Sequence, residues 1–504
     1  MTGWRRQGVL AVLCLAFILV ATANSGGYRF GISDQAFYQP AIEWKLHPEL
    51  FPRDRALLES QAKLTLVDET LATATRATGA PLPWLFLGLY LISLVVLFYG
   101  AVTVAEALAF SPAATTAFLA LLTLRHRIAR TGANTLEGYM HPRQLAFGLG
   151  LLALGLTLKQ RRAWAVLVWL VAAALHPTTA AWFALFIVGG MVADRMLPRL
   201  TAMHIGAISA LVVAGAIIGP HLTPLLPVPS SMLMDQAWTT AFAEKDYIFV
   251  SQWPWWAWAL NLAYLPLLRL LFQRRMAAGV VSGGERALMS GAALLVLIFA
   301  GSVIFSEARL AFAVQLQVSR VFWWLDVLIA AYAAWWLTSD PVVRRVLGSA
   351  APRISIAAVA VLALGRGFYT VGEGGPDRNL FRLELPADDW AAAMQWLKTQ
   401  PSDWLVLADP DHAWKYGTSV RVAASRDVVL EVVKDSAISL YSRDVALRTV
   451  ERTRALADFA GMHTDTALRV ARQYGVTALV VESVHVLALP KLYGNASFTI
   501  YDAR

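Results

Sequence analysis

The stretch Phe30–Asp54, FGISDQAFYQPAIEWKLHPELFPRD, sets two carboxylates, Asp34 and Asp54, among aromatic residues and prolines. A carboxylate held within hydrogen-bond reach of a hydroxyl can take its proton as a general base. Plainer duties suit the same residues. Ser33 or Asp34 can cap a helix that begins QAFYQPAIEW, and Asp54, flanked by Arg53 and Arg55, can cap the next helix or form a surface pair.

Basic residues are the second chemical signal. Arg130, His141, Arg143, His176 and Arg320 fall at or near the ends of apolar runs. Arginine and protonated histidine are charge-assisted donors suited to a phosphate or diphosphate. His141-Pro142-Arg143 opens one apolar run, and His176-Pro177 separates two others. Arg320, in QLQVSRVFWWL, is expected inside a run, where an ionisable group is costly and faces a cavity or a partner. Asp326 and Glu307 are the acids on offer to it, although Asp326 stands at a poor helical spacing. Glu137 and His141, with His126, make only a weak set of metal ligands, and an ordinary polar loop is the simpler account, so no metal site is assigned. The segment carrying His412, Lys415, Arg421, Arg426 and Lys434 suits an anionic or sugar ligand, or a solvated edge, the latter being simpler. Asn495-Ala496-Ser497 matches a glycosylation triplet, a pattern common by chance. The chain has no Walker loop, no GxGxxG after a strand, no HExxH and no GxSxG, which argues against ATP-driven transport and the common soluble hydrolases.

These residues need a scaffold, and composition says which kind. The chain of 504 residues is 57% hydrophobic and only 15% charged, a balance that belongs to a membrane protein. Its formal charge of +9 is explained by basic residues at helix ends, so nucleic acid is not an expected partner. The lone cysteine, Cys14, excludes an intrachain disulfide. Apolar runs cover Val9–Ala23, Pro83–Leu108, Pro112–Leu124, Leu145–Leu158, Trp164–Leu175, Pro177–Val192, Met203–Gly219, Trp253–Phe272, Ala287–Phe305, Phe312–Leu337 and Ile354–Phe368. They predict about eleven spans. Ala21-Thr22-Ala23 fits a signal cleavage site, yet an uncleaved first span is the expectation. With the N-terminus inside, the clusters Lys159/Arg161/Arg162, Arg195/Arg199, Arg274/Arg275/Arg286 and Arg344/Arg345/Arg353 all face inward. The Phe30–Asp54 loop, the Arg125–Gln144 segment, His176, the Pro220–Gln252 loop and the C-terminal region then face outward. The tryptophans, 19 in all, gather near run ends, as interface anchors do.

After Tyr369 the glycine-rich GEGGPDRN reads as a linker. ADDWAAAMQWLKTQ predicts an amphipathic helix with Trp390, Met394 and Leu397 on one side. TDTALRVARQYG predicts a helix closed by Gly475, and DWLVLAD, VTALVVE and SFTIYDA predict strands. The expected fold is therefore mainly α: a polytopic helical membrane protein with a small C-terminal α/β extracytoplasmic domain. The expected division is a helical domain 1–370 with an outer loop 25–82, a linker 371–385, and an α/β domain 386–504.

In this layout the chain resembles the integral-membrane GT-C glycosyltransferases, including bacterial members that use polyprenyl-phosphate sugars. The likeness runs over essentially the whole chain: a short first span, a long outer loop with an acid close after it, many further spans, and an outer C-terminal α/β domain. Asp34 in SDQAFYQP and Asp54 in LFPRD occupy the matching positions. The resemblance implies catalytic roles for Asp34 and Asp54, with Asp34 as the base. It implies lipid-phosphate binding by Arg130, His141, Arg143, His176 and Arg320. The implied partners are membrane lipid, a polyprenyl-phosphate sugar donor and an acceptor glycan, lipid or protein, and the implied location is the cytoplasmic (inner) membrane. The chain lacks the adjacent Asp-Glu or Asp-Asp pair of some branches and a WWDxG-type motif, which leaves use of a divalent cation and the choice of substrate open. A transporter or flippase, using Arg320 and Asp326 as a path, and a non-enzymatic membrane assembly protein are the alternatives. No internal repeat of the transporter kind is present in the sequence.

Overall fold

A computed structural model describes residues 3–196, 202–222, 229–373 and 379–504. Arg199, residues 223–228 of the long loop and residues 374–378 of the expected linker lie outside the described residues. The chain gathers into two compact units. One holds Met1–Tyr28, Gly88–Met234 and Lys245–Phe381; the other holds Arg29–Leu87, Asp235–Glu244 and Arg382–Arg504. The division expected at 371–385 follows the chain, whereas the packing joins Arg29–Leu87 to the C-terminal residues. The helices Gln35–Leu46, Arg55–Ala62 and Val67–Thr78 bury Phe37, Tyr38, Ile42, Leu57, Leu58 and Leu71. An apolar face of that size needs a second layer. The short helices Val420–Ala423 and Val432–Ile438 are part of it.

The apolar runs of the sequence lie largely on helix. Among the described residues, six helices are long and apolar enough to cross a membrane: Trp4–Asn24, Leu82–Ala107, Pro177–Met196, Glu285–Glu307, Val318–Ser339 and Pro341–Gly372. Pro112–Leu122, Pro142–Leu158, Arg162–Leu175 and Gly206–Ile218 are shorter apolar helices. The remaining run lies on Trp255–Ala277, which is less apolar and ends on Arg274 and Arg275. Arg6 and Lys159 both pair with Glu106, bringing together the start of the first apolar helix, the end of the second and the end of the fourth. An up-and-down path requires that meeting. Arg275, 1% exposed, is compensated by Glu285 at 2.8 Å, which also accepts from the Tyr332 hydroxyl at 3.1 Å and the Ser282 N–H at 2.7 Å.

Two local departures from regular helix matter. Leu185–Gly189 forms a π-turn inside the Pro177–Met196 helix, where Gly190 and Gly291 allow two helix backbones to touch. Before Phe322–Ser339, Gln317 adopts φ 49° and breaks the chain into a 3₁₀ turn, Val318–Val321. Arg320 therefore lies within the tenth run as expected, on the turn at its helix entrance.

The second unit carries a five-stranded mixed sheet. Its order is Asp427–Val428, Leu405–Leu407, Ala478–Glu482, Phe498–Asp502, Lys491–Gly494; the first three are parallel and the last two antiparallel. Trp390, Met394 and Leu397 are buried on one face of the helix Asp389–Lys398, as its apolar spacing predicts. Asp388 caps that helix by accepting the Ala391 N–H at 2.8 Å, and Gly475, with φ 69°, ends Thr464–Tyr474. The His412–Lys434 segment is not a solvated edge: His412, Arg421 and Arg426 are buried.

A Cβ at position 291 would lie 2.4 Å from the Phe186 carbonyl oxygen, whereas one at Gly301 on the same helix meets nothing within 4 Å. Gly291→Ala is expected to cost about 1–3 kcal/mol through overpacking. Gly301→Ala should cost nothing. Thermal unfolding of the two full-length variants in detergent checks the contrast.

Candidate functional site

Two helix starts in the first unit position the candidate site. Each is a His-Pro step, in which proline fixes φ at the first helical position and holds the preceding residue extended. His141 accordingly has φ −134°, ψ 124°, and His176 has φ −154°, ψ 88°. Each imidazole caps its own helix. His141 Nδ1 accepts the Arg143 N–H at 3.0 Å; His176 Nδ1 accepts the Thr179 N–H at 3.3 Å, with the Thr179 hydroxyl 2.9 Å away. A ring nitrogen that accepts has no proton, so each neutral ring carries its proton on Nε2 and offers a donor there. The two ring centroids lie 6.5 Å apart.

Arg143 and Arg320 complete the group. Arg143 is buried, 3.1 Å from Glu137, with its guanidinium 5.8 Å from the centre of the Trp323 ring. Arg320 lies over Tyr247 at 5.8 Å. His176 registers them all: burial first, then the charges of His141, Arg143 and Arg320, hold its imidazole well below the ordinary histidine range. Asp326 and Glu307, the acids expected to offset Arg320, are engaged by other partners. Asp326 binds His126 and Tyr264, and Glu307 accepts the Ser251 N–H and hydroxyl. Arg143 and Arg125 share the carboxylate of Glu137. Guanidinium and imidazole groups are donors of the kind a phosphate takes. Arg130 is engaged otherwise. It pairs with Asp246, lies over the Trp256 ring and keeps 43% of its side chain exposed.

The two acids of the first loop belong to the second unit, and they differ. Asp34 occupies the position before the helix Gln35–Leu46 but makes no capping bond; it accepts from Lys434 Nζ at 2.7 Å, with 27% of its side chain exposed. Asp54 is fully buried and also makes no capping bond. One of its oxygens is 2.7 Å from Arg421 Nε and the other meets Arg448. Burial alone would raise the Asp54 carboxyl, but the charges and hydrogen bonds of Arg421 and Arg448 outweigh it and hold the group below the usual carboxylate range. Its oxygens are thus committed to a buried ion network, which is a structural duty and a poor setting for a base. The cap of its helix comes from Asp427, which accepts the Arg53 and Asp54 N–H groups at 2.9 and 3.0 Å. Burial first, then the Asp54 charge, push Asp427 up to about 6.

Sequence reasoning missed Lys434 as the partner of Asp34, Arg421 and Arg448 as the partners of Asp54, and Glu137 as the acid beneath Arg143. It also missed the pairing of His126 with Asp326. Glu137 is held by Arg143, Arg125 and Asn134, and His141 by backbone. Among the described residues, no group of three or more His, Cys, Asp or Glu comes together as metal ligands.

No family model matches the sequence, and no curated protein matches it. Among solved structures, the chain is similar to the crystal structure of an Archaeoglobus fulgidus oligosaccharyltransferase in the apo form. The TM-score is 0.48 and the identity 12%, over 95% of this chain and 70% of that one. A likeness at that TM-score supports no inference about site or activity, which rest on the residues described above.

Removing Asp54 takes one carboxylate partner from the buried Arg421 and one from the half-buried Arg448, so Asp54→Ala is expected to destabilise by about 3–5 kcal/mol. Asp34→Asn opens a partly exposed pair and should cost about 0–1 kcal/mol. Thermal unfolding of the full chain in detergent separates the two. Asp68 adds a pH dependence. It is fully buried, its oxygens have no hydrogen-bond partner, and burial first, then the Glu69 charge, push it up to about 8. The folded chain therefore holds this proton more tightly than the unfolded chain, where an aspartate titrates near ~3.9. The stability it confers is complete below about pH 4 and is lost as pH rises towards 8. Asp68→Asn should melt like wild type near pH 4 and above it at pH 8, as unfolding scans across that window will read.

Proposed function

We propose that this chain is a membrane glycosyltransferase that moves a sugar from a polyprenyl-phosphate donor to an acceptor glycan, lipid or protein on the outer face of the membrane. One observation carries the proposal: the His141 and His176 rings lie 6.5 Å apart, and the charges of Arg143 and Arg320, from further stretches of chain, also bear on His176, within a unit rich in membrane-length helices. Glycosyl transfer from a lipid phosphate leaves the phosphate with an added negative charge. Fixed donors at that oxygen, in a setting poor in water, stabilise the transition state more than the ground state. Two guanidiniums and two Nε2–H donors are suited to that task. The apolar helices around them suit an isoprenoid chain.

In the proposed orientation the N-terminus lies inside and the C-terminal α/β residues outside, which puts the basic helix ends at Lys159, Arg274 and Arg344 on the inner side. The resemblance implies Asp34 as a base; its carboxylate pairs with Lys434.

The test is binding of a long-chain polyprenyl phosphate to the purified full-length protein in detergent. Arg143→Ala and Arg320→Ala should each weaken it about tenfold to a hundredfold, the value of a charge-assisted hydrogen bond. Arg130→Ala should leave it unchanged. Equal binding by all of these proteins and wild type removes the phosphate site. Asp34→Asn with turnover equal to wild type in membranes removes Asp34 from the mechanism.

A further inference from the structure

The first unit contains a proton-accepting constellation that the phosphate group does not use. His126 Nδ1 lies 2.7 Å from Asp326 Oδ2, and the Tyr264 hydroxyl donates to Asp326 Oδ1 at 3.1 Å. Three distant stretches are joined: the chain after the helix Pro112–Leu122, the helix Trp255–Ala277 and the helix Phe322–Ser339. Asp326 is 9% exposed, and the His126 side chain 25%. Backbone holds the histidine as well, since its N–H donates to Thr135 Oγ1 at 2.8 Å and its carbonyl accepts the Thr135 N–H at 3.0 Å.

The geometry fixes the tautomer. Asp326 accepts from a tyrosine on one oxygen, so as a carboxylate it accepts from the imidazole on the other. Nδ1 is then the protonated nitrogen, and Nε2 carries the lone pair. Nε2 has no hydrogen-bond partner among the described residues. A carboxylate that orients an imidazole and leaves its far nitrogen available is the arrangement by which histidine serves as general base.

The constellation also stands beside the phosphate group. Trp323, which lies under the Arg143 guanidinium, and Asp326, which holds His126, are three residues apart on one helix and share a face. The hairpin that follows His126 leads to Glu137, which holds Arg143.

We propose that His126 is the general base of the transfer, in the place the resemblance gives to Asp34, with Asp326 as its positioning residue and Tyr264 holding the carboxylate. This rests on the glycosyl-transfer reading of the phosphate group. In the step, His126 Nε2 takes the proton of an acceptor hydroxyl while that oxygen bonds to the sugar anomeric carbon. The bond from that carbon to the phosphate oxygen breaks, and its electron pair leaves on the lipid phosphate held by Arg143 and Arg320. The imidazolium then returns its proton to water.

Two measurements on the full-length protein test the assignment. Diethyl pyrocarbonate acylates an accessible imidazole lone pair, and peptide mapping by mass spectrometry reads each histidine. His126 should be modified in wild type and several-fold more slowly in Asp326→Asn. An unmodified His126 beside a modified His47, whose side chain is 62% exposed, overturns the proposal whatever the reaction proves to be. In transfer assays with a polyprenyl-phosphate sugar, His126→Gln should lower kcat about a hundredfold to ten-thousandfold with the donor KM unchanged. Added imidazole should restore turnover to His126→Gly, which a merely structural role would not allow. Wild-type kcat in His126→Gln overturns the base assignment and leaves the transferase reading standing. Absence of transfer by wild type removes that reading, while the modification experiment still reports on the His126–Asp326 pair.

Discussion

A charge taken out of water must find its opposite, and this constraint orders both units. In the second unit Arg421 is 1% exposed, and it binds Asp54 at 2.7 Å and Asp435 at 2.7 Å. Residues from the first loop and from the C-terminal region are thereby committed to one core. Loss of one partner leaves fewer carboxylates to offset a buried ion, and several kcal/mol per ion is the usual scale of the penalty for burial. The Arg275–Glu285 pair does the same among the helices of the first unit. Around His176 three basic side chains, His141, Arg143 and Arg320, bear on one buried imidazole instead.

Much of the helical scaffold was legible because an apolar run of membrane length declares itself without knowledge of its neighbours. The runs of the sequence lie largely on helix, and the His-Pro steps at 141 and 176 mark helix starts by the steric rule for the residue before proline. Three strands were legible for the same local reason. Asp427–Val428 was not, because it is two residues long and lies in a polar segment; Lys491–Gly494 was not, because its side chains are mixed and half exposed.

The chemistry was less legible because it is long-range. His126 and Asp326 are 200 positions apart, and Asp34 and Lys434 are 400. No local pattern foretells such pairs. A carboxylate that precedes a helix looks like a cap, yet neither Asp34 nor Asp54 caps; distant arginines and a lysine claim them first. Arg130 had the same local credentials as Arg143, and only the fold separates them, by giving one an exposed partner in Asp246 and the other a buried place beside Glu137. Arg320 was legible as costly, and its setting on a turn at a helix entrance follows from the left-handed Gln317, which nothing in QLQVSRV announces.

The histidine caps have a consequence for how a bound anion would be let go. A capping Nδ1 is occupied by a backbone N–H, so protonating it means uncapping the helix. His176, already disfavoured as a cation by burial and by the charges around it, stays neutral through mild acidification. The donor at the His176 Nε2 is then a permanent fitting and not a switch. Mild acidity has no lever on it, and release of an anion held there would have to be driven by a change in the anion itself.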